Sequence, residues 1–359
     1  RKRLSPRLRL RRNLRIKNKV LYIYNMEGMK PTTKKIKEFK KVPDTSITNE
    51  YPTSENSLRA PYLMLVIGTR NTGKSYTTAK ILHQAMDDKL YDRYFMISPT
   101  YDSNRKYWEF LEMDDEDVLY PTRDSIDVII RELETERDEW SEYMMSKKLY
   151  EDFKAKTKNA TSIHNMDLLD LNTFIDLGYL DEEGQPTNIP APKWKRDIER
   201  PCQSCLICDD ILGSSALGNA PGLTKLAIQN RHIAPLHEPF GTRAALGLSC
   251  FFLSQTYSGG GGGNHGGIPR GLRENATHMI FFRNKSENVF KKIFEELGGA
   301  IPEEEMKAAY KYAIQDHHDN LLVDLFPKCP SKRYRRNLSE FVMFPEAVAQ
   351  CECKKKKLK

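Results

Sequence analysis

A phosphate-loop motif constrains this sequence more than any other feature. Residues 68–75 read Gly-Thr-Arg-Asn-Thr-Gly-Lys-Ser, which fits G-x-x-x-x-G-K-[ST]. The motif follows a continuous apolar run, Tyr62–Ile67, and precedes a segment typical of a helix, about residues 74–88. Glycines at this spacing let backbone N–H groups turn toward phosphate oxygens, and the next helix presents its positive end to the same anion. The sequence therefore predicts a nucleotide site on a strand–loop–helix unit.

The residues of this loop have separate expected roles. Lys74 should reach the β- and γ-phosphate oxygens and the Ser75 hydroxyl should ligate Mg²⁺, so ATP and Mg²⁺ are the expected cofactors. A glycine loop without a ligand is the alternative, which the flanking strand and helix disfavour. The expected nucleotide-binding residues are Gly68, Thr69, Arg70, Asn71, Thr72, Gly73, Lys74, Ser75 and Tyr76.

A second apolar run, Cys205–Asp209, ends in two adjacent carboxylates, Asp209 and Asp210. The Mg²⁺ of a phosphate-loop site requires a carboxylate at the end of a neighbouring strand. We expect Asp209 to hold Mg²⁺ through water and Asp210 to polarise the attacking water. A switch protein needs no strong base there, so the pair favours hydrolysis over binding alone. Two solvent-facing aspartates at a strand end are the alternative.

A polar residue follows the next apolar run. The segment Leu248–Ser254 reads as a buried strand, and Gln255 comes directly after it. At the tip of such a strand Gln255 would lie beside the γ-phosphate, where its amide can hydrogen-bond both phosphate and water. We therefore place Gln255 with Lys74 and Asp210 among the catalytic candidates.

Apolar strands alternate with helical segments, which predicts an α/β fold with a mainly parallel central sheet flanked by helices. We interpret it as a P-loop ATPase core of the ASCE type with a helical insertion. The expected organisation is a basic and polar tail and linker over 1–60, an ATPase domain over 61–345, and a basic tail over 346–359. The inserted segment spans about 101–203. The predicted strands are Tyr62–Ile67, Arg93–Ser98, Cys205–Asp209, Leu248–Ser254, His278–Phe282 and Asn320–Phe326.

The net charge of +8 is unevenly distributed. Residues 1–41 carry +14 and residues 351–359 carry +4, which leaves −10 for residues 42–350. Basic tails of this kind bind polyanions or are simply solvated. Any DNA contact by the acidic body must therefore come from a few placed lysines and arginines.

The cysteines and the apolar runs exclude other classes of protein. Seven cysteines, an odd number, indicate a reducing compartment rather than a disulfide framework. The spacing of Cys202, Cys205 and Cys208 resembles part of a metal site, but the segment also reads as a buried strand, where cysteine acts as a small hydrophobe. No apolar run reaches the roughly 20 residues of a membrane-spanning helix.

The order of these motifs resembles the FtsK/HerA superfamily of DNA-pumping ATPases. The resemblance is closer to the poxvirus-type genome-packaging ATPases of nucleocytoplasmic large DNA viruses and their relatives, and covers about residues 61–340. Beyond the phosphate loop and the paired aspartates, it rests on Asn230-Arg231-His232, Leu253-Ser254-Gln255-Thr256-Tyr257, the run from Ile268 to Thr277, and the run from Asp324 to Asn337.

The resemblance implies a homo-oligomeric ring, a hexamer or pentamer, with ATP at each subunit interface. An arginine from the next subunit would then stabilise the transition-state charge. The candidates are Arg231, Arg243 and Arg273, with Arg270 behind them. Arg231 is separated from the strand ending at Ser254 by extra residues, whereas Arg243-Ala244-Ala245 resembles the Arg-Ala-Ala of FtsK-like motors.

The function implied is an ATP-driven translocase that packages double-stranded DNA into a preformed capsid. Its expected partners are DNA, held through its phosphates, and the capsid or its portal vertex. It would act in the host cytoplasm or nucleus at sites of virion assembly, or within the virion. A HerA-like cellular DNA-processing motor and a nucleotide-binding capsid assembly module without translocation are the alternatives.

Overall fold

The computed structural model describes residues 51, 57–158, 166–211, 221–236, 244–257, 267–284, 287–299, 301–345 and 347. The chain divides into Arg1–Ser46 and Ile47–Lys359, and every described residue belongs to the second unit. Arg243, the glycine stretch 259–263 and the basic segments 1–41 and 351–359 lie outside the described residues. Within the described part, the helices are too short or too polar to cross a membrane.

One sheet organises the described part of the chain, in the strand order β3-β2-β4-β5-β1-β6-β7-β8-β9. The strands β1 to β6 run parallel to their neighbours, whereas β7, β8 and β9 continue the sheet antiparallel from β6. The strands are β1 (Leu63–Ile67), β2 (Arg93–Ile97), β3 (Val118–Leu119), β4 (Ser204–Asp209), β5 (Leu248–Ser254), β6 (His278–Phe282), β7 (Asn320–Asp324), β8 (Tyr334–Arg336) and β9 (Glu340–Val342). The predicted α/β fold with a mainly parallel sheet is confirmed.

The central strands are continuous apolar runs because helices cover both faces of the sheet. Along β1, Leu63, Leu65 and Ile67 enter one hydrophobic cluster, while Met64 and Val66 enter the cluster on the other face. The helices are α1 (Lys74–Asp87), α2 (Tyr101–Asn104), α3 (Ser125–Lys156), α4 (Leu168–Asp176), α5 (Pro221–Gln229), α6 (Arg270–Asn275), α7 (Glu287–Leu297) and α8 (Glu303–Ala313).

The segment expected as a helical insertion, 101–203, contributes to the central sheet as well. The strand β3 pairs in parallel with β2 at the sheet edge. On α3, Ile126, Ile129 and Leu133 are buried in the same cluster as Leu206 of β4. That the segment is an insertion stays a prediction, but its first half is packed into the core.

Part of the expected linker also packs against the body. Tyr51 is 2% exposed, and its hydroxyl donates to the carbonyl oxygen of Gly247 at 3.0 Å. The Tyr51 ring is buried in the same hydrophobic cluster as Tyr91. The packed part of the chain therefore begins before residue 61.

The three cysteines that suggested a metal site, Cys202, Cys205 and Cys208, are buried. Cys205 and Cys208 lie on opposite faces of β4, and burial raises their pKa values well above the ordinary range. No group of three His, Cys, Asp or Glu side chains among the described residues could hold a metal ion. Burial of Cys202, Cys205 and Cys208 is what the interpretation of this segment as a buried strand predicts. Cys329 is disulfide-bonded, which the odd number of cysteines did not predict.

Candidate functional site

The phosphate loop connects β1 to α1 and is shaped by close packing. A Cβ at Gly68 would lie 2.5 Å from the Thr72 hydroxyl and 2.9 Å from Cβ of Phe282, so only glycine fits. Gly73 has φ +98°, a left-handed conformation that strains other residues. The buried Thr72 hydroxyl donates to the carbonyl oxygen of Thr69 at 2.8 Å and fixes the bend.

The helix that follows is suited to an anion. No side chain caps the N-terminus of α1, and its first turn contains no acidic residue. Its first N–H groups and the positive end of its dipole therefore remain for a phosphate group. Tyr76 on this turn is 60% exposed, and Arg70 and Asn71 at the tip of the loop are exposed too.

Lys74 lies inside the loop rather than in solvent. Its ammonium group donates to the carbonyl oxygens of Gly68 at 3.0 Å and Thr69 at 3.2 Å. Burial lowers the pKa of Lys74, and the nearby charges of Asp209 and Asp210 oppose that shift. A desolvated cation beside two carboxylates fits a site that receives further negative charge from phosphates.

Asp209 and Asp210 lie in different surroundings. Asp209 ends β4 and is 5% exposed. Burial, followed by repulsion from Asp210, raises the pKa of Asp209 to about 6, although Lys74 and Ser75 oppose this. Asp210 is exposed and has φ 57°, a left-handed conformation rare outside glycine. That turn directs the chain out of the strand immediately after Asp209.

Gln255 contacts Asp210 directly. Its amide nitrogen donates to both carboxylate oxygens, at 3.1 and 3.0 Å. The sheet order explains this meeting, because β5 lies between β4 and β1. The tip of β5 also contacts the phosphate loop, since the Gly68 N–H donates to the carbonyl oxygen of Ser254 at 3.1 Å. Three segments distant in sequence therefore converge at one edge of the sheet.

The residues present fit a Mg²⁺–nucleotide complex. A buried carboxyl with a raised pKa, repelled by a second carboxylate, lacks full compensation by Lys74. The Ser75 hydroxyl and the neighbouring Asp209 carboxylate are oxygen ligands of the kind Mg²⁺ uses, and this ion keeps water and substrate phosphates in its other positions. Ser75 and Asp209 would hold the metal, and the loop from Gly68 to Tyr76 would hold the phosphates.

Replacing Asp209 with Asn is expected to stabilise the metal-free fold at neutral pH. Because its pKa is raised in the folded protein, the Asp209 carboxyl contributes stability when it is protonated, below its ordinary pKa of 3.8. This contribution is lost as the pH rises through about 6 and the carboxyl ionises. The difference between a pKa of 3.8 and one of about 6 corresponds to about 3 kcal/mol in the free energy of unfolding. Denaturant unfolding in EDTA from about pH 4 to about pH 8 measures the difference between Asp209→Asn and the wild type.

The control for this experiment is Asp152→Asn, which removes an exposed carboxylate from α3. This variant should follow the wild-type pH dependence. If Asp209→Asn also followed it, desolvation of the Asp209 carboxyl would be excluded.

The arginine candidates are placed very differently. Arg231 is exposed in a 3-10 turn, Asn230–His232, which the buried Asn230 ties to β5 by donating to the carbonyl oxygen of Leu248 at 3.1 Å. The turn therefore lies at the start of β5, whereas the phosphate loop lies near its last residue, Ser254. A strand of seven residues separates them by about 20 Å. Arg231 is therefore too distant to reach the nucleotide of its own subunit.

Arg273 is held within its own chain. Its guanidinium pairs with Glu296 at 3.0 Å, donates to the carbonyl oxygen of Ile268 at 2.9 Å, and lies over the Tyr257 ring at 5.1 Å. These contacts fasten α6 to α7 and to the segment after β5. The geometry disfavours the expected role of Arg273 at a neighbouring site. Arg270 is exposed and pairs with Glu274 at 2.7 Å.

One residue near the loop was missed by sequence reasoning. His318 Nδ1 lies 3.4 Å from the carbonyl oxygen of Thr72, although 246 residues separate them. No motif marks His318, which lies between α8 and β7. Only the antiparallel direction of β7 brings this turn to the phosphate-loop edge of the sheet.

Solved structures similar to this chain include the genome packaging NTPase B204 from Sulfolobus turreted icosahedral virus 2 in complex with AMPPCP, which covers 79% of this chain and 98% of B204 with 11% identity and a TM-score of 0.40. B204, the DNA-packaging ATPase from Sulfolobus turreted icosahedral virus, covers 77% and 96% with 12% identity and a TM-score of 0.36. EssC (ATPases 2 and 3) from Geobacillus thermodenitrificans covers 92% of this chain and 52% of that one, with 13% identity and a TM-score of 0.37.

No protein-family model matches the sequence, and no curated protein matches it. The poxvirus-type assignment stays a prediction. The structural neighbours of this chain include a viral genome-packaging NTPase and the EssC ATPases.

Proposed function

We propose that this protein is an ATP-hydrolysing translocase that moves double-stranded DNA into a preformed viral capsid. The observation that carries the proposal is the convergence of Lys74, Ser75, Asp209, Asp210 and Gln255 at one edge of the sheet. These are the groups that phosphoryl transfer to water requires. The packaging role rests on the sequence resemblance described above.

Each group has a distinct task in this proposal. Lys74 neutralises charge on the β- and γ-phosphates from inside the loop, and the N-terminus of α1 adds its backbone donors. Ser75 and Asp209 would hold Mg²⁺, which would supply positive charge to the phosphate oxygens. Binding a divalent cation also compensates the repulsion between the two neighbouring carboxylates.

Asp210 orients the attacking water, and Gln255 positions Asp210. Both Asp210 oxygens accept from the Gln255 amide in this structure. Turning this amide toward a phosphate oxygen releases the carboxylate to accept a hydrogen bond from water. Gln255 therefore couples the presence of the terminal phosphate to the freedom of the base.

The protein contacts DNA through the phosphate groups rather than the bases, because a packaging motor must accept any sequence. The cluster of Lys332, Arg333, Arg335 and Arg336 is one candidate for this contact, although its members also make contacts within the chain. Arg336 pairs with Asp319 at 3.3 Å, and Arg335 lies over the Phe341 ring at 4.7 Å. The basic segments 1–41 and 351–359 are the other candidates.

Double-stranded DNA is expected to accelerate ATP hydrolysis by the assembled protein. Phosphate release with and without a long duplex measures the effect, and the stimulation should fall steeply as salt rises because counterions are released on binding. Asp210→Asn is the matched variant and should remove both basal and stimulated turnover. A rate of ATP hydrolysis that is the same with and without DNA at every salt concentration would contradict translocation. Binding of ATP without hydrolysis would favour the capsid assembly module.

A further inference from the structure

The turn between α8 and β7 is a second element at the phosphate loop. It spans residues 314–319 and leads into β7, whose first residue pairs with the last residue of β6. His318 Nδ1 lies 3.4 Å from the carbonyl oxygen of Thr72. A Cβ at Gly73 would lie 3.7 Å from the same nitrogen. The imidazole therefore borders the loop itself.

Hydrogen bonds to the Asp319 carboxylate hold the backbone of this turn in place. This carboxylate is 8% exposed and accepts from the backbone N–H groups of Gln315 and Asp316 at 3.0 and 2.9 Å. It also accepts from the Asn337 amide at 2.7 Å and pairs with Arg336 at 3.3 Å. One buried carboxylate thus ties the turn to the segment around β8.

The side chains that this rigid turn presents are two exposed imidazoles. The rings of His317 and His318 lie 4.9 Å apart, nearly perpendicular to each other. The turn therefore holds the exposed rings of His317 and His318 in place beside the phosphate loop. Such a preorganised pair of rings suits a flat ligand.

The two sides of the loop differ in chemistry. Asp209, Asp210 and Gln255 lie at the ends of β4 and β5, on one side of β1, where the proposed function places the terminal phosphate. The opposite side of β1 carries β6 and β7, and therefore the turn with His318. A nucleotide bound with its terminal phosphate toward Asp210 would extend its ribose and base toward this second side.

We propose that His317 and His318 form the base-binding wall of the nucleotide site. The inference rests on the proposed function, because it extends the same ATP site. Donation from Nδ1 of His318 to Thr72 leaves Nε2 as an acceptor for an amino group or a ribose hydroxyl, and a flat base packs against the rings.

Calorimetric titration of the full chain with Mg²⁺–ADP and with Mg²⁺–tripolyphosphate tests the assignment, because the second probe has phosphates but no base. His318→Ala should weaken ADP binding about tenfold, the typical value of one base–aromatic contact, and leave tripolyphosphate binding unchanged. His317→Ala should act in the same direction, and His318→Phe should recover part of the loss. The control is His83→Ala, an exposed imidazole on α1 that stacks on Phe110 and should bind both probes as the wild type does.

The outcomes separate the two proposals. An equal loss for both probes in His318→Ala would show a distorted phosphate loop and overturn the base wall. Wild-type affinity for ADP in both alanine variants would overturn it too. A wild-type protein that binds neither probe would overturn the ATP site itself, and the base wall with it.

Discussion

Lys74→Ala is expected to reduce ATP hydrolysis to background. The ammonium group lies inside the loop on the carbonyl oxygens of Gly68 and Thr69, beside Asp209 and Asp210. Its removal leaves the triphosphate without its only cation from the loop interior, and leaves the two carboxylates with less opposing charge. Phosphate release at saturating Mg²⁺–ATP measures the loss, and equilibrium binding of the nucleotide should weaken as well.

The matched control is Lys80→Ala, which removes an exposed lysine from the same helix. It should hydrolyse ATP at the wild-type rate. An unchanged melting temperature in Lys74→Ala would show that the fold is intact. Retained turnover in that folded variant would remove the phosphate loop from the mechanism.

Arg231→Ala is expected to lower DNA-stimulated turnover by about 10³-fold or more, the value of an arginine supplied in trans. Arg231 is exposed, and it lies at the end of β5 opposite the phosphate loop. Its guanidinium can therefore act only at the site of another subunit. Turnover should be restored in part when Arg231→Ala is mixed with Lys74→Ala, because interfaces then form that combine an intact loop with an intact arginine.

Arg273→Ala provides the contrast. Its contacts with Glu296, Ile268 and Tyr257 are internal, so its loss should lower the melting temperature, whereas Arg231→Ala should leave it unchanged. Wild-type turnover in Arg231→Ala would transfer the expected role to Arg243. A failure of the mixed variants to regain activity, with turnover lost in Arg231→Ala, would contradict action in trans.

Local patterns predicted much of the site because the chemistry is encoded in short segments. The loop from Gly68 to Ser75 needs adjacent glycines, lysine and hydroxyl, and these are neighbours in the chain. Asp209 and Gln255 follow apolar runs, and the carboxyl ends of parallel strands lie at one edge of a sheet. The residue types at strand ends were therefore sufficient to anticipate which groups meet.

Long-range placement could not be read in the same way. In the sequence, Arg231 and Arg273 are equivalent candidates. The structure shows that Arg231 is exposed on the surface, whereas Arg273 is paired with Glu296. The same holds for 118–133, expected in an insertion, where β3 and the start of α3 join the core. Contacts between distant segments decide these cases, and no local periodicity records them.

The sequence by itself determined the α/β sheet, the phosphate loop and the paired carboxylates, because these follow from apolar runs and from residues adjacent in the chain. The tertiary structure decided that Gln255 donates to Asp210, that Arg273 is an internal tie, and that His318 borders the loop. Each of these depends on strand order and direction. That order places β5 between β4 and β1, and the reversal at β7 returns a distant turn to the phosphate-loop edge.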